Sequence, residues 1–136
     1  MQMSGGEAFF DTSVLLYLFS ADADKADRAE KVLAKRGVIS VQVLSELTSV
    51  GRRKPMMSWE ELREALGTLR EFCRVEPVTE QTYELALELA ARYDLSWYDA
   101  LIVAAAILAE CSILYSEDMH SGLRIKRALK VVNPFE

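Results

Sequence analysis

The chain has 136 residues, 51% of them apolar, and a net charge of −5 from 16 Lys and Arg against 21 Asp and Glu. That length makes one ordinary domain, residues 1–136, whose core needs no disulfide framework or structural metal to fold. Disordered and fibrous classes are excluded by composition. The acidic balance excludes a protein that grips nucleic acid by bulk positive charge, though not one that reaches phosphate through a metal ion.

In chain order, residues 7–10 read as a short buried strand, after which Asp11-Thr12-Ser13 offers cap chemistry for a helix from Val14 to Phe19. Asp24 to Arg36 is an amphipathic helix that Gly37 closes. A strand over 37–40 precedes a helix from Val41 to Arg53, ended by Pro55. Ser58 and Glu61 form a capping box for a helix reaching Phe72. Residues 75–78 read as an edge strand, because Pro77 cannot donate to a ladder. Thr79 caps a helix to about Tyr93, and Asp99 to Ala109 is the most apolar helix. Strands over 112–115 and 130–133 complete the chain. Alternating strands and helices predict a three-layer α/β/α sandwich around a central, mainly parallel sheet of short strands.

Cys73 and Cys111, the only cysteines, lack zinc or disulfide spacing and read as small buried apolar side chains. The apolar stretch from Phe9 to Phe19 contains Asp11 and follows no Lys or Arg, which does not fit a signal peptide. Ala100 to Ala109 is too short to span a bilayer. The expectation is a soluble, cytoplasmic protein.

Ligands of parallel sheets bind outside the carboxyl ends of the strands. Two strands end there in acids, at Asp11 and at Glu117-Asp118, and Asp99 opens a helix that is apolar on every side. Glu46 falls at the edge of its helix's apolar stripe. Each acid has a plainer role open to it: Asp11 as a helix cap, Asp99 as the acid of a capping box with Ser96, Asp118 in a turn, Glu46 on a solvated border. As a set they point elsewhere. Carboxylates sharing one cleft repel unless a cation intervenes, and oxygen donors without His or Cys select Mg²⁺ or Mn²⁺ over zinc. Such an ion polarises a phosphoryl group and activates water, which implies phosphodiester hydrolysis.

The motifs around these acids carry a resemblance. Phe10-Asp11-Thr12-Ser13-Val14-Leu15, Ser40 to Glu46, Leu95 to Ile102 and Tyr115-Ser116-Glu117-Asp118 resemble, in order, the motifs of PIN-domain ribonucleases, and Val132 to Phe135 resembles their terminal strand. The resemblance implies a VapC-like toxin: a Mg²⁺-dependent endoribonuclease acting on RNA, usually a homodimer, inhibited by a small antitoxin. Carried over by position, Asp11, Glu46, Asp99 and Asp118 form the acidic quartet, with Asp11, Asp99 and Asp118 as metal ligands. Thr12 and Ser116 support them, and Ser13 stands where many relatives have Asn. Motif alignment favours Asp118 over Glu117 as the inward acid.

Arg52, Arg53 and Arg124 each read first as part of a solvated face, with RNA-backbone contact at the cleft rim as the other use, and Arg52 and Arg53 are equally suited to pairing with an antitoxin segment. Trp97 and Tyr98 read as core packing at a helix start, with base stacking as the other use. His120 lies in a polar turn without a His partner. Two alternatives stand beside the nuclease: an idle PIN-fold module that binds RNA or protein, and a receiver-type signalling domain, which also gathers strand-end acids around Mg²⁺.

Overall fold

A computed structural model describes residues 7–53 and 56–136, so Lys54 and the helix-ending role of Pro55 lie outside the described residues. The strands are β1 (Ala8–Phe10), β2 (Gly37–Ser40), β3 (Cys73–Glu76), β4 (Ile113–Tyr115), β5 (Arg124–Ile125) and β6 (Leu129–Val132). The helices are α1 (Thr12–Leu15), α2 (Ala23–Ala34), α3 (Val41–Arg53), α4 (Trp59–Phe72), α5 (Glu80–Tyr93) and α6 (Trp97–Leu108), with a 3₁₀ turn over Leu16–Phe19.

All six strands join one sheet in the order β3-β2-β1-β4-β6-β5. Every pairing is parallel except β5 with β6. The expected mixed α/β architecture is therefore the observed one. From β1 the chain steps outward to β2 and β3, then returns across the sheet to β4 on the other side of β1. Right-handed crossovers running in opposite directions put their helices on opposite faces. The reversal falls between β1 and β4, and a crevice opens at such a switch point outside the carboxyl ends of the strands. Asp11 directly follows β1, and Ser116 directly follows β4.

The core is built from strands covered on both sides. Phe9, Phe10, Val38, Ile39, Leu114 and Val131 are fully buried, and α6 adds Ala100, Val103, Ala104 and Ala106. Its alanines give α6 no amphipathic contrast, and such a helix has to sit inside. Both cysteines are buried and free, and burial pushes each thiol up to about 12.

Several expectations shift. The first helix starts at Thr12 and tightens into the 3₁₀ turn after Leu15, so Thr12 and Ser13 lie within it. Asp22 caps α2 by accepting from the Asp24 and Lys25 amides. Gly37 does not close that helix. Arg36 takes the left-handed conformation (φ 60°), while Gly37 opens β2 where a Cβ would run into the Ala8 carbonyl oxygen and the Phe10 ring. Arg36 is held there by donating to the Glu71 carbonyl (3.1 Å) and lying over Phe72. β3 starts two residues earlier than expected, so Pro77 falls just past its end. The two-residue β5 was not foreseen. It turns into β6 through Lys126 and Arg127, both left-handed, with the Lys126 amide donating to the Tyr93 hydroxyl (2.8 Å). At the opposite edge, Arg74 of β3 pairs with Glu76 and Glu7.

Candidate functional site

A cleft of about 550 Å³ opens at the switch point, and Asp11, Glu46, Asp99, Glu117 and Asp118 all line it. Backbone geometry explains the gathering. Parallel pairing of β1 with β4 aligns Phe10 with Tyr115, so the residues leaving both strands emerge side by side. Glu46 arrives from the second turn of α3, and Asp99 from the first turn of α6.

Asp11 occupies the backbone position of a helix cap but makes no cap hydrogen bond with its side chain. Its Oδ2 instead accepts from the hydroxyls of Ser116 (2.8 Å) and Ser13 (3.1 Å). Only 5% exposed, it has a carboxyl raised from 3.8 to about 6. Burial is the main cause, the two serine hydrogen bonds oppose it, and the Asp99 and Asp118 charges add to it. Asp99 is raised for the same reasons, first burial and then the Asp118 and Glu46 charges, against a hydrogen bond with Ser96. The Ser96 hydroxyl also accepts the Asp99 amide (3.2 Å), so this acid serves the helix start and the cleft together.

Hydroxyls do the orienting. Ser116 Oγ donates to Asp11 and accepts from the Asp118 and Met119 amides (3.2 Å each), fixing a buried acid and an exposed one from a single atom. Thr12 Oγ1 donates to Glu46 Oε1 (2.5 Å). Ser13 also accepts the Glu117 amide (3.1 Å), so it supports both chain segments. Sequence reasoning missed Gln42, whose Nε2 donates to Glu46 Oε2 (3.2 Å) and to the Tyr98 carbonyl (3.3 Å). Its spacing of four residues from Glu46 was the available signal. Tyr98 does not pack in the core. It is 66% exposed and lines the cleft, whereas Trp97 is half-buried against Tyr83.

The three arginines stand apart from the lining of the cleft. Arg52 lies over the Trp59 ring (4.3 Å) and donates to the Met57 carbonyl (2.9 Å). Arg53 Nε donates to the Ser49 carbonyl, and Arg124 is exposed on the edge strand β5. His120 is exposed in its turn. Glu76, the acid at the end of β3, is paired with Arg74 at the sheet edge and does not line the cleft.

The donor set suits a hard divalent cation. Five carboxylates line the cleft, with neither His nor Cys among them, and a cation would relieve the repulsion that contributes to raising Asp11 and Asp99. Among the described residues, no three His, Cys, Asp or Glu side chains already stand close enough together to hold an ion.

The family model of the PIN domain matches residues 8–123. Among solved structures, a toxin–antitoxin complex from Klebsiella pneumoniae matches with a TM-score of 0.72 and 25% identity, over 96% of this chain and 99% of that one. VapC20 of Mycobacterium tuberculosis, a sarcin–ricin loop cleaving toxin, matches at 0.67 and 25% identity, over 82% and 90%. VapBC-1 of nontypeable Haemophilus influenzae shares the fold at 0.68 and 18% identity, over 95% and 98%. No curated protein sequence matches the chain.

Proposed function

The chain belongs to the PIN-domain family, and on that premise we propose that it is a divalent-metal-dependent endoribonuclease, the toxin of a toxin–antitoxin pair. One observation carries the reading: Asp11, Glu46, Asp99 and Asp118, spread over more than a hundred residues of sequence, line a single cleft at the strand-end switch point. Asp11, Asp99 and Asp118 would hold Mg²⁺ or Mn²⁺, with Glu46 completing the acidic set. When bound, the ion supplies charge neutralisation, polarises a phosphoryl oxygen and lowers the pKa of a coordinated water.

The chain's own residues prepare that chemistry. Ser13 and Ser116 fix the Asp11 carboxylate, and Thr12 and Gln42 fix the two oxygens of Glu46. The Tyr98 ring at the rim offers a face on which an unstacked base can lie. The likeness at 25% identity to VapC20, and to a toxin–antitoxin complex, supports RNA as substrate and an antitoxin protein as partner. A homodimer and a cytoplasmic location follow from the same family reading.

Incubating the purified protein with a panel of RNAs in Mg²⁺, Mn²⁺ or EDTA tests the proposal. Cleavage is expected with either metal and not with EDTA. Asp99→Asn is expected to keep the wild-type circular dichroism and lose at least about a hundredfold in rate, the equivalent of about 2.7 kcal/mol of charge stabilisation. Full cleavage by that variant would overturn the assignment.

A further inference from the structure

Glu117 sits on the wall of the same cleft, one residue from Asp118, yet its carboxylate is engaged elsewhere. The Tyr17 hydroxyl donates to Glu117 Oε1 (2.7 Å), and Lys25 Nζ lies 3.6 Å from Oε2, so each oxygen has its own partner. Lys25 also donates to the Tyr17 hydroxyl (3.2 Å) and lies over the rings of Tyr17 (4.7 Å) and Phe135 (5.8 Å). The Tyr17 ring meets Phe135 edge-on at 4.7 Å. Three separate segments therefore converge on one glutamate: the 3₁₀ turn, the start of α2 and the C-terminal residues. Its neighbour behaves differently, for Asp118 is exposed and its charge acts on Asp11 and Asp99.

We propose that Tyr17 and Lys25 are positioning residues that hold the Glu117 carboxylate out of the metal-binding set, so that the cleft presents Asp118 and favours a small ion over a large one. This rests on the metal-site reading above. The physical reason lies in ligand count and charge. Ca²⁺ takes six to eight oxygens and gains from each added carboxylate, whereas Mg²⁺ is satisfied by one or two plus water. A Glu117 freed from its partners would add two oxygens and an uncompensated charge to the wall of the cleft. Lys25 cancels that charge, and Tyr17 fixes where the carboxylate lies.

Calorimetric titration of Mg²⁺, Mn²⁺ and Ca²⁺ into the whole protein, without RNA, tests this. Lys25→Met is expected to tighten Ca²⁺ binding at least about threefold relative to Mg²⁺. Tyr17→Phe should shift the preference the same way by less, and Lys25→Arg should restore the wild-type preference. The decisive comparison is Lys25→Met in a Glu117→Gln background, where the gain should disappear. An unchanged ion preference in Lys25→Met, or a gain that persists without the Glu117 charge, would overturn the proposal. Asp99→Asn separates it from its premise. Weakened metal binding there with no effect of Lys25→Met removes this inference alone, while wild-type binding by Asp99→Asn removes the metal site as well.

Discussion

Burial gives the Asp11 carboxyl a native pKa of about 6 against 3.8 in the ordinary range, so the folded protein takes up a proton that the unfolded chain does not. Stability tied to this group is therefore lost as pH rises from about 4 through 6, and the charged form costs at most about 3 kcal/mol above that window. In EDTA at about pH 7.5, Asp11→Asn should melt above the wild type, and the gap should close by about pH 4.5. Thermal melts followed by circular dichroism decide it, and a lower melting point for the variant at the higher pH would refute the argument. Asp11, Asp99 and Asp118 were legible because each sits by a strand end or a helix start, places where the chain's local pattern marks a change of direction. Glu46, in the second turn of α3, was marked only by its place at the edge of an apolar stripe. Tyr17 and Lys25 were not legible, since their tie to Glu117 spans 100 residues for Tyr17 and carries no local spacing. Tyr98 was misjudged for another reason. At the first turn of a buried helix one residue faces the core and its neighbour does not, and Trp97 took the inner place.

Elements were readable where capping chemistry marked them. The capping boxes that begin α4 and α5 fall where Ser58 and Thr79 place them. They were misread where tertiary packing overrode a local rule. Gly37 looks like a helix stop, but its missing side chain serves the approach of β1, and Arg36 carries the left-handed turn instead. The same substitution should thus act oppositely in two elements. Gly37→Ala forces a Cβ onto the Ala8 carbonyl and should cost about 1–3 kcal/mol, as overpacking does. Gly67 lies inside α4 with open space around a built Cβ, so Gly67→Ala should stabilise by about 0.5–1 kcal/mol. Urea denaturation of both variants checks the signs. A two-residue strand such as β5 has no periodicity to read, and only its pairing with β6 reveals it.

At the scale of the molecule, the order of strands could not be read from the sequence, because it is settled by which crossovers pack rather than by any one segment. The result makes β1, early in the chain, the joint between two halves, with β2 on one side and β4 on the other. Phe9, fully buried there, pairs with Val38 and Leu114 at once. Phe9→Ala should cost about 3–5 kcal/mol and lower one shared transition rather than splitting it in two. Coincident unfolding curves from far-ultraviolet circular dichroism and the fluorescence of Trp59 and Trp97 would show this, and separated curves would contradict it. The borders of the sheet carry a different consequence. One is four residues long, flanked by paired charges and followed at once by a proline, and the other is only two residues long. Neither offers a stranger much open backbone to zip onto. Fibril growth by strand addition is discouraged at both ends.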